Sequence, residues 1–357
     1  MYSISFIVLL IIFASLQSII LAKNKRPIAK YSANVDLEHF NESFPALHEE
    51  WCSYLHKYPE PSLIIYPRMP KCGSSTIDAL FKELAKRGQF TFVHTPRELW
   101  TNYDMDEQYR KQFIASVRTN MHSYFSFKHK PVIVEGHFEK VIFDEETFDG
   151  PYESIQLMRD CPGRIKSMFF YQLFQCSDAS RAIKEGRFKE YQMKKLNFRN
   201  GSKNFDFDRC FNDAACVRGF PFNEYPWHAV QHVCGSTCAY ETGDEVKGAI
   251  YNAVHPEHFA AFGTLNRLEE FLEQLECVYP TLLKDISKTY KKLQVHENSA
   301  LKPRNATKAF NQVIAESCDV RTTSMGKIYH YLEPFFKSRY QFMKENKGRC
   351  CRKRQKH

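Results

Sequence analysis

A chain of 357 residues that is 43% hydrophobic, with 30 Phe and 19 Tyr, can close a substantial core, which excludes an intrinsically disordered protein. Its formal net charge of +9 points to a polyanionic partner: nucleic acid, a membrane surface or an acidic glycan. Charge alone does not choose among the three.

The first charged residue is Lys23, and Ile4 to Ala22 is almost continuously apolar, close to the ~20 residues a helix needs to cross a bilayer. The segment at 1–22 reads as a signal anchor or as a signal peptide cut near Ala22. Its length favours the anchor, while Lys23, Lys25 and Arg26 on its far side weigh against it. Either reading puts the rest of the chain in a lumen or outside the cell, an oxidising compartment. The cysteines agree, because Cys210/Cys216 and Cys234/Cys238 are close pairs suited to small disulfide loops. Asn41, Asn200 and Asn305 each open an Asn-x-Ser/Thr glycosylation sequon. Zinc is the rival use of the cysteines, but their spacing, with only His228 and His232 between, matches no standard ligand set, so no metal is expected.

Residues 23–60 mix polar types with little periodicity and read as a stem. A folded domain is expected over 61–346, and a basic, disordered tail over 347–357. Within the domain, Ser62–Tyr66 reads as a buried strand, Pro67–Gly73 as a loop and Ser75–Arg87 as a helix. Ile77, Leu80, Phe81 and Leu84 fall on one face of that helix, and Gly88 is its stop. Further strands are expected at 90–94, 132–135, 154–158 and 258–265, and helices at 107–118, 162–174, 266–277 and 324–346. Strands alternating with helices imply an α/β fold, a parallel sheet flanked by helices.

The most informative segment runs Tyr66-Pro-Arg-Met-Pro-Lys-Cys-Gly-Ser-Ser-Thr76. Between a strand and a helix start, it offers oriented backbone N–H groups and the positive end of a helix dipole to an anion. Lys71 adds a mobile cation, Gly73 permits close backbone approach, and Ser74, Ser75 and Thr76 supply hydroxyls beside Cys72. Lys71 precedes Gly73, whereas GxxxxGK[ST] places Lys after the second Gly, which argues against an ATP-hydrolysing loop or a kinase.

A strand leading into Pro-Lys-x-Gly-Ser-x-Thr and a helix resembles the 5′-phosphosulfate loop of the sulfotransferases. Lys71-Cys-Gly-Ser74 is similar to the form found in the uronyl 2-O-sulfotransferases. The resemblance implies a P-loop-like sulfotransferase fold and 3′-phosphoadenosine 5′-phosphosulfate (PAPS) as donor. It also implies an Arg at a strand end and a Ser in the next helix for the donor's 3′-phosphate. Arg159 and Ser167 stand at that spacing in Arg159-Asp-Cys-Pro-Gly-Arg-Ile-Lys-Ser167. A guanidinium fork and a hydroxyl near a helix start suit a phosphate monoester on chemical grounds too.

Sulfuryl transfer needs a base for the acceptor hydroxyl and a cation at the leaving phosphate. Lys71 suits the second task. His137, closing Val132-Ile-Val-Glu-Gly-His137, is the base candidate, in a segment similar to the family's His-Gly-His-Val. Glu135 replaces the first His and would repel an acidic acceptor unless paired or turned away.

The resemblance further implies an acidic glycan acceptor (heparan, dermatan or chondroitin sulfate, sulfated at a uronic acid 2-hydroxyl) with no nucleic acid partner. Arg68, Arg209 and Arg304 are its candidate contacts, and Cys210–Cys238 contains the disulfide-looped acceptor region. A Golgi membrane protein with a lumenal domain is implied, tethered through its N-terminal segment or secreted if cleaved; a homo-oligomer is compatible. A non-catalytic glycan-binding relative is the alternative, motivated by Glu135.

Overall fold

The computed structural model describes residues 36–95, 130–138, 140, 151–167, 230, 232–235, 244–293, 308–321 and 323–353. In chain order these contain helix α1 (Phe44–Lys57), strand β1 (Leu63–Pro67), helix α2 (Ser74–Ala85), and strands β2 (Thr91–His94), β3 (Val132–Gly136) and β4 (Tyr152–Met158). Helix α3 (Glu245–Val254) and strand β5 (Ala261–Thr264) follow. The remaining helices are α4 (Leu268–Val278), α5 (Ile286–Leu293), α6 (Lys308–Ser317), α7 (Ser324–Glu345) and α8 (Lys347–Cys350). Residues 161–167 are also helical, and the helix expected over 107–118 lies outside the described residues.

The strands form one parallel sheet in the order β2-β3-β1-β4-β5, as the alternation of elements implies. β1 is buried along its whole length, as befits an apolar run with a parallel neighbour on each side. Ile77, Leu80, Phe81 and Leu84 of α2 pack on one face of the sheet, and Gly88, at φ +78°, follows the helix end. On the other face, Phe262 of β5 stacks against Phe336 of α7 with ring centroids 4.8 Å apart. The strand expected over 258–265 starts only at Ala261, because the amides of His258 and Phe259 both donate to the carbonyl of His255 in a turn after α3.

Connectivity fixes where a ligand would bind. From β1 the chain runs outward to β2, returns to β3, and then crosses β1 to reach β4. The winding therefore reverses between β1 and β4, and the crevice beyond their C-terminal ends is the ligand position in open sheets of this kind.

Two expectations at the ends of the domain are corrected. The stem does not extend to residue 60: α1 packs Phe44, His48, Trp51, Cys52 and Leu55 inward, and the Trp51 indole donates to the Ala260 carbonyl at 2.8 Å. The tail from 347 onward is not disordered over its first residues. Cys350 is bonded to Cys52 of α1, Cys351 to Cys277 of α4, and the Arg352 guanidinium grips the buried Glu153 carboxylate. A third disulfide joins Cys161 to Cys318. Such bonds belong to an oxidising compartment. Cys234 is also disulfide-bonded, while Cys210, Cys216 and Cys238 lie outside the described residues, as do Asn200 and Asn305. Asn41 is exposed.

Candidate phosphosulfate and acceptor site

The loop after β1 is shaped by two left-handed residues. Gly73 has φ +74°, a conformation that calls for glycine, and a Cβ there would also press the flexible end of Leu265 at 2.4 Å. Lys71 has φ +66° without that freedom, a strain of roughly 1–3 kcal/mol of the kind that persists where surrounding structure fixes a functional loop. The Gly73 carbonyl then accepts from the Thr76 and Ile77 amides at 3.0 and 3.3 Å and opens α2. Ser74 and Thr76 are buried and Ser75 is exposed at the helix start. The Cys72 side chain turns into the core beside Met69, and burial pushes its thiol up to about 11.

The structure brings Arg159 to the same loop. From the end of β4 its Nη1 donates to the Lys71 carbonyl at 3.4 Å. Asp160 accepts from the Gly163 amide at 2.6 Å and shapes the start of the helical residues 161–167, on which Ser167 is half-buried. Arg164, buried beneath, donates from Nε to the Pro70 carbonyl at 3.2 Å and ties this helical segment to the loop. Burial, then the charges of Arg159 and Arg68, bring Lys71 down to about 8. A lysine depressed by two neighbouring guanidinium groups is a site an anion would relieve.

His137 follows β3 at the adjoining edge. Its Nδ1 lies 2.7 Å from the Arg68 carbonyl oxygen, which can only accept, so Nδ1 carries the hydrogen and Nε2 keeps its lone pair. Burial, then the Arg68 and Lys71 charges, bring His137 down to about 4, so the imidazole is neutral at pH 7. A bound polyanion would offset the two cationic contributions and make it a stronger base.

Glu135 is both paired and turned inward. Its carboxyl is fully buried, with Arg68 Nη1 at 3.0 Å and His94 Nδ1 at 2.7 Å. Burial pushes it up to about 8, with Asp78 adding to the rise and Arg68 opposing it. The Arg68 guanidinium, a candidate acceptor contact in the sequence, is thus engaged with Glu135. Arg209 and Arg304 lie outside the described residues. Sequence reasoning missed Asp78 and His94. His94 and Glu135 close neighbouring parallel strands, and that shared edge was the signal available for them.

A five-stranded parallel sheet flanked by helices is an α/β fold compatible with the sulfotransferases. The chain is 23% identical over 235 residues to the uronyl 2-sulfotransferases of Homo sapiens and of Mus musculus, covering 65% of this chain and 52% of each relative. It therefore spans about half the length of the curated relatives it matches, and the relationship to the sulfotransferases is a distant one. No family model matches the sequence. Among the described residues, no helix is long and apolar enough to cross a membrane; Ile4–Ala22 lies outside them.

Proposed function

We propose that this chain is a PAPS-dependent carbohydrate O-sulfotransferase acting on a uronic acid 2-hydroxyl of a glycosaminoglycan, in the Golgi lumen. The observation that carries the reading is the gathering of Lys71, Arg159 and Arg68 beside a neutral His137 whose Nε2 bears the lone pair. The distant likeness to uronyl 2-sulfotransferases and the three disulfides support it.

In this reading the backbone of residues 71–76 and the Lys71 ammonium hold the 5′-phosphosulfate, with Arg159 and Ser167 on the 3′-phosphate. The acceptor hydroxyl oxygen attacks sulfur, and a new O–S bond forms as the bond from sulfur to the bridging phosphate oxygen breaks. The acceptor proton passes to His137 Nε2. The negative charge left on the released phosphate is countered by Lys71. Glu135 no longer favours a non-catalytic protein, since its carboxyl is turned into the fold and paired with Arg68.

The test is calorimetric titration with the product nucleotide, 3′-phosphoadenosine 5′-phosphate, set against ATP and AMP. Tight binding that needs the 3′-phosphate, and that weakens in Arg159→Ala, is the expected result. Equal binding of all three nucleotides, or of none, would overturn the donor assignment.

A further inference from the structure

Arg68 is fastened to the end of β3 at three points. Its amide donates to the Gly136 carbonyl at 2.7 Å, its carbonyl accepts from His137 Nδ1 at 2.7 Å, and its guanidinium donates to Glu135 Oε1 at 3.0 Å. The middle contact sets the histidine tautomer, and the other two hold the residue that makes it. Behind Glu135 stands a further line of contacts. His94 Nδ1 lies 2.7 Å from Glu135 Oε1, His94 Nε2 lies 2.9 Å from Asp78 Oδ1, and Lys82 Nζ lies 2.8 Å from Asp78 Oδ2.

We infer that Glu135, braced by His94 and Asp78, is a positioning residue for the candidate base: it moors Arg68 so that the Arg68 carbonyl keeps the proton of His137 on Nδ1. This rests on the proposed function for its catalytic meaning, but its structural content stands apart from it.

One proton assignment accounts for these short contacts: Glu135 is protonated on Oε1 and faces the bare Nδ1 of His94, the Nε2–H of His94 faces Asp78, and Glu135 Oε1 still accepts from Arg68, while Glu135 Oε2 is buried without a hydrogen-bond partner among the described residues. The upward push on Glu135 and the downward push on His94 by burial agree with it. A neutral acid at this position also leaves Arg68 its charge while placing no negative charge beside an acidic glycan. Asp78, His94 and Glu135 are close enough together to hold a metal ion. Arg68 on Glu135 and Lys82 on Asp78 supply the positive charge there instead. Gly136 keeps the arrangement tight, since a Cβ on it would fall 1.8 Å from Thr95 Oγ1.

The test uses the purified full chain as wild type, Glu135→Ala and Glu135→Gln, with nitrogen-15 NMR of the histidine rings and steady-state sulfate transfer from PAPS. The wild type is expected to show His137 as the Nδ1–H tautomer, titrating well below an ordinary histidine. Glu135→Ala should mix the tautomers, raise the midpoint, and lower kcat at least tenfold with KM for PAPS within about twofold. Glu135→Gln, which keeps a neutral hydrogen-bonding group, should restore the wild-type tautomer and most of kcat. An unchanged His137 spectrum in a folded Glu135→Ala variant would overturn the inference. So would a response of the His94 ring to added Zn²⁺ that Glu135→Gln removes, by showing a metal centre. If no variant transfers sulfate, the NMR result still decides the positioning claim, and the absent transfer counts against the proposed function alone.

Discussion

Arg159 reaches back across the switch point to the carbonyl of Lys71 at 3.4 Å, so two cations far apart in the chain meet over one loop. Asp160 Oδ1 lies 4.0 Å from the Nε of Arg159. The consequences can be measured.

Lys71 should be separable into a chemical and a conformational role. Lys71→Ala is expected to cut kcat by about 10²–10³-fold, the usual loss when one charge-stabilising group is removed. Lys71→Gly should be as inactive, yet melt at the same or a higher temperature, because glycine relieves the positive φ. Paired turnover and thermal-melt measurements check both.

Donor binding should take up protons. Lys71 is lowered to about 8 in the free protein, so it is partly uncharged above that pH and must be protonated to hold an anion. Affinity for 3′-phosphoadenosine 5′-phosphate is expected to fall as pH rises through 8. The binding enthalpy at pH 8.5 should depend on the buffer's ionisation heat, and that dependence should vanish in Lys71→Ala. The same lowered value means that the unfolded chain binds more protons than the native one between about 8 and 10.5, so the contribution of Lys71 to stability rises with pH across that window.

Arg159→Ala should weaken binding of the same nucleotide by roughly 10- to 100-fold, about 1.5–3 kcal/mol for a charge-assisted contact, with little change in melting temperature. Loss of folding would instead mark Arg159 as a structural brace.

The C-terminal residues should matter for stability out of proportion to their place in the chain. Arg352→Ala strands the buried Glu153 and is expected to cost about 3–5 kcal/mol in urea unfolding. Reduction, or Cys350→Ser with Cys351→Ser, should release α1 and α4 together, each disulfide contributing typically ~2–4 kcal/mol.

Much of the central sheet and its loop could be read directly. β1 is an unbroken apolar run, α2 repeats its apolar residues at helical spacing, and the loop between them carries its chemistry in consecutive residues. The resemblance pointed to Arg159 and His137, and each stands just past the end of a parallel strand. α1 was hidden by the polar composition around it, although Phe44, His48, Trp51, Cys52 and Leu55 keep a helical period. The tail was read from its charge, which conceals that Cys350 and Cys351 are tied to two separate helices. The Asp78–His94–Glu135 cluster depends on a helix and two strand ends meeting in space, which no local pattern encodes.

The most direct measurement is transfer of radiolabelled sulfate from PAPS to desulfated heparan, dermatan and chondroitin chains, with His137→Ala run beside the wild type. Label on a uronic acid 2-hydroxyl, reduced by at least 10²-fold in the variant, is the expected result. Undiminished transfer in a folded His137→Ala protein would contradict the assigned base, and no transfer to any chain would contradict the proposed acceptor class.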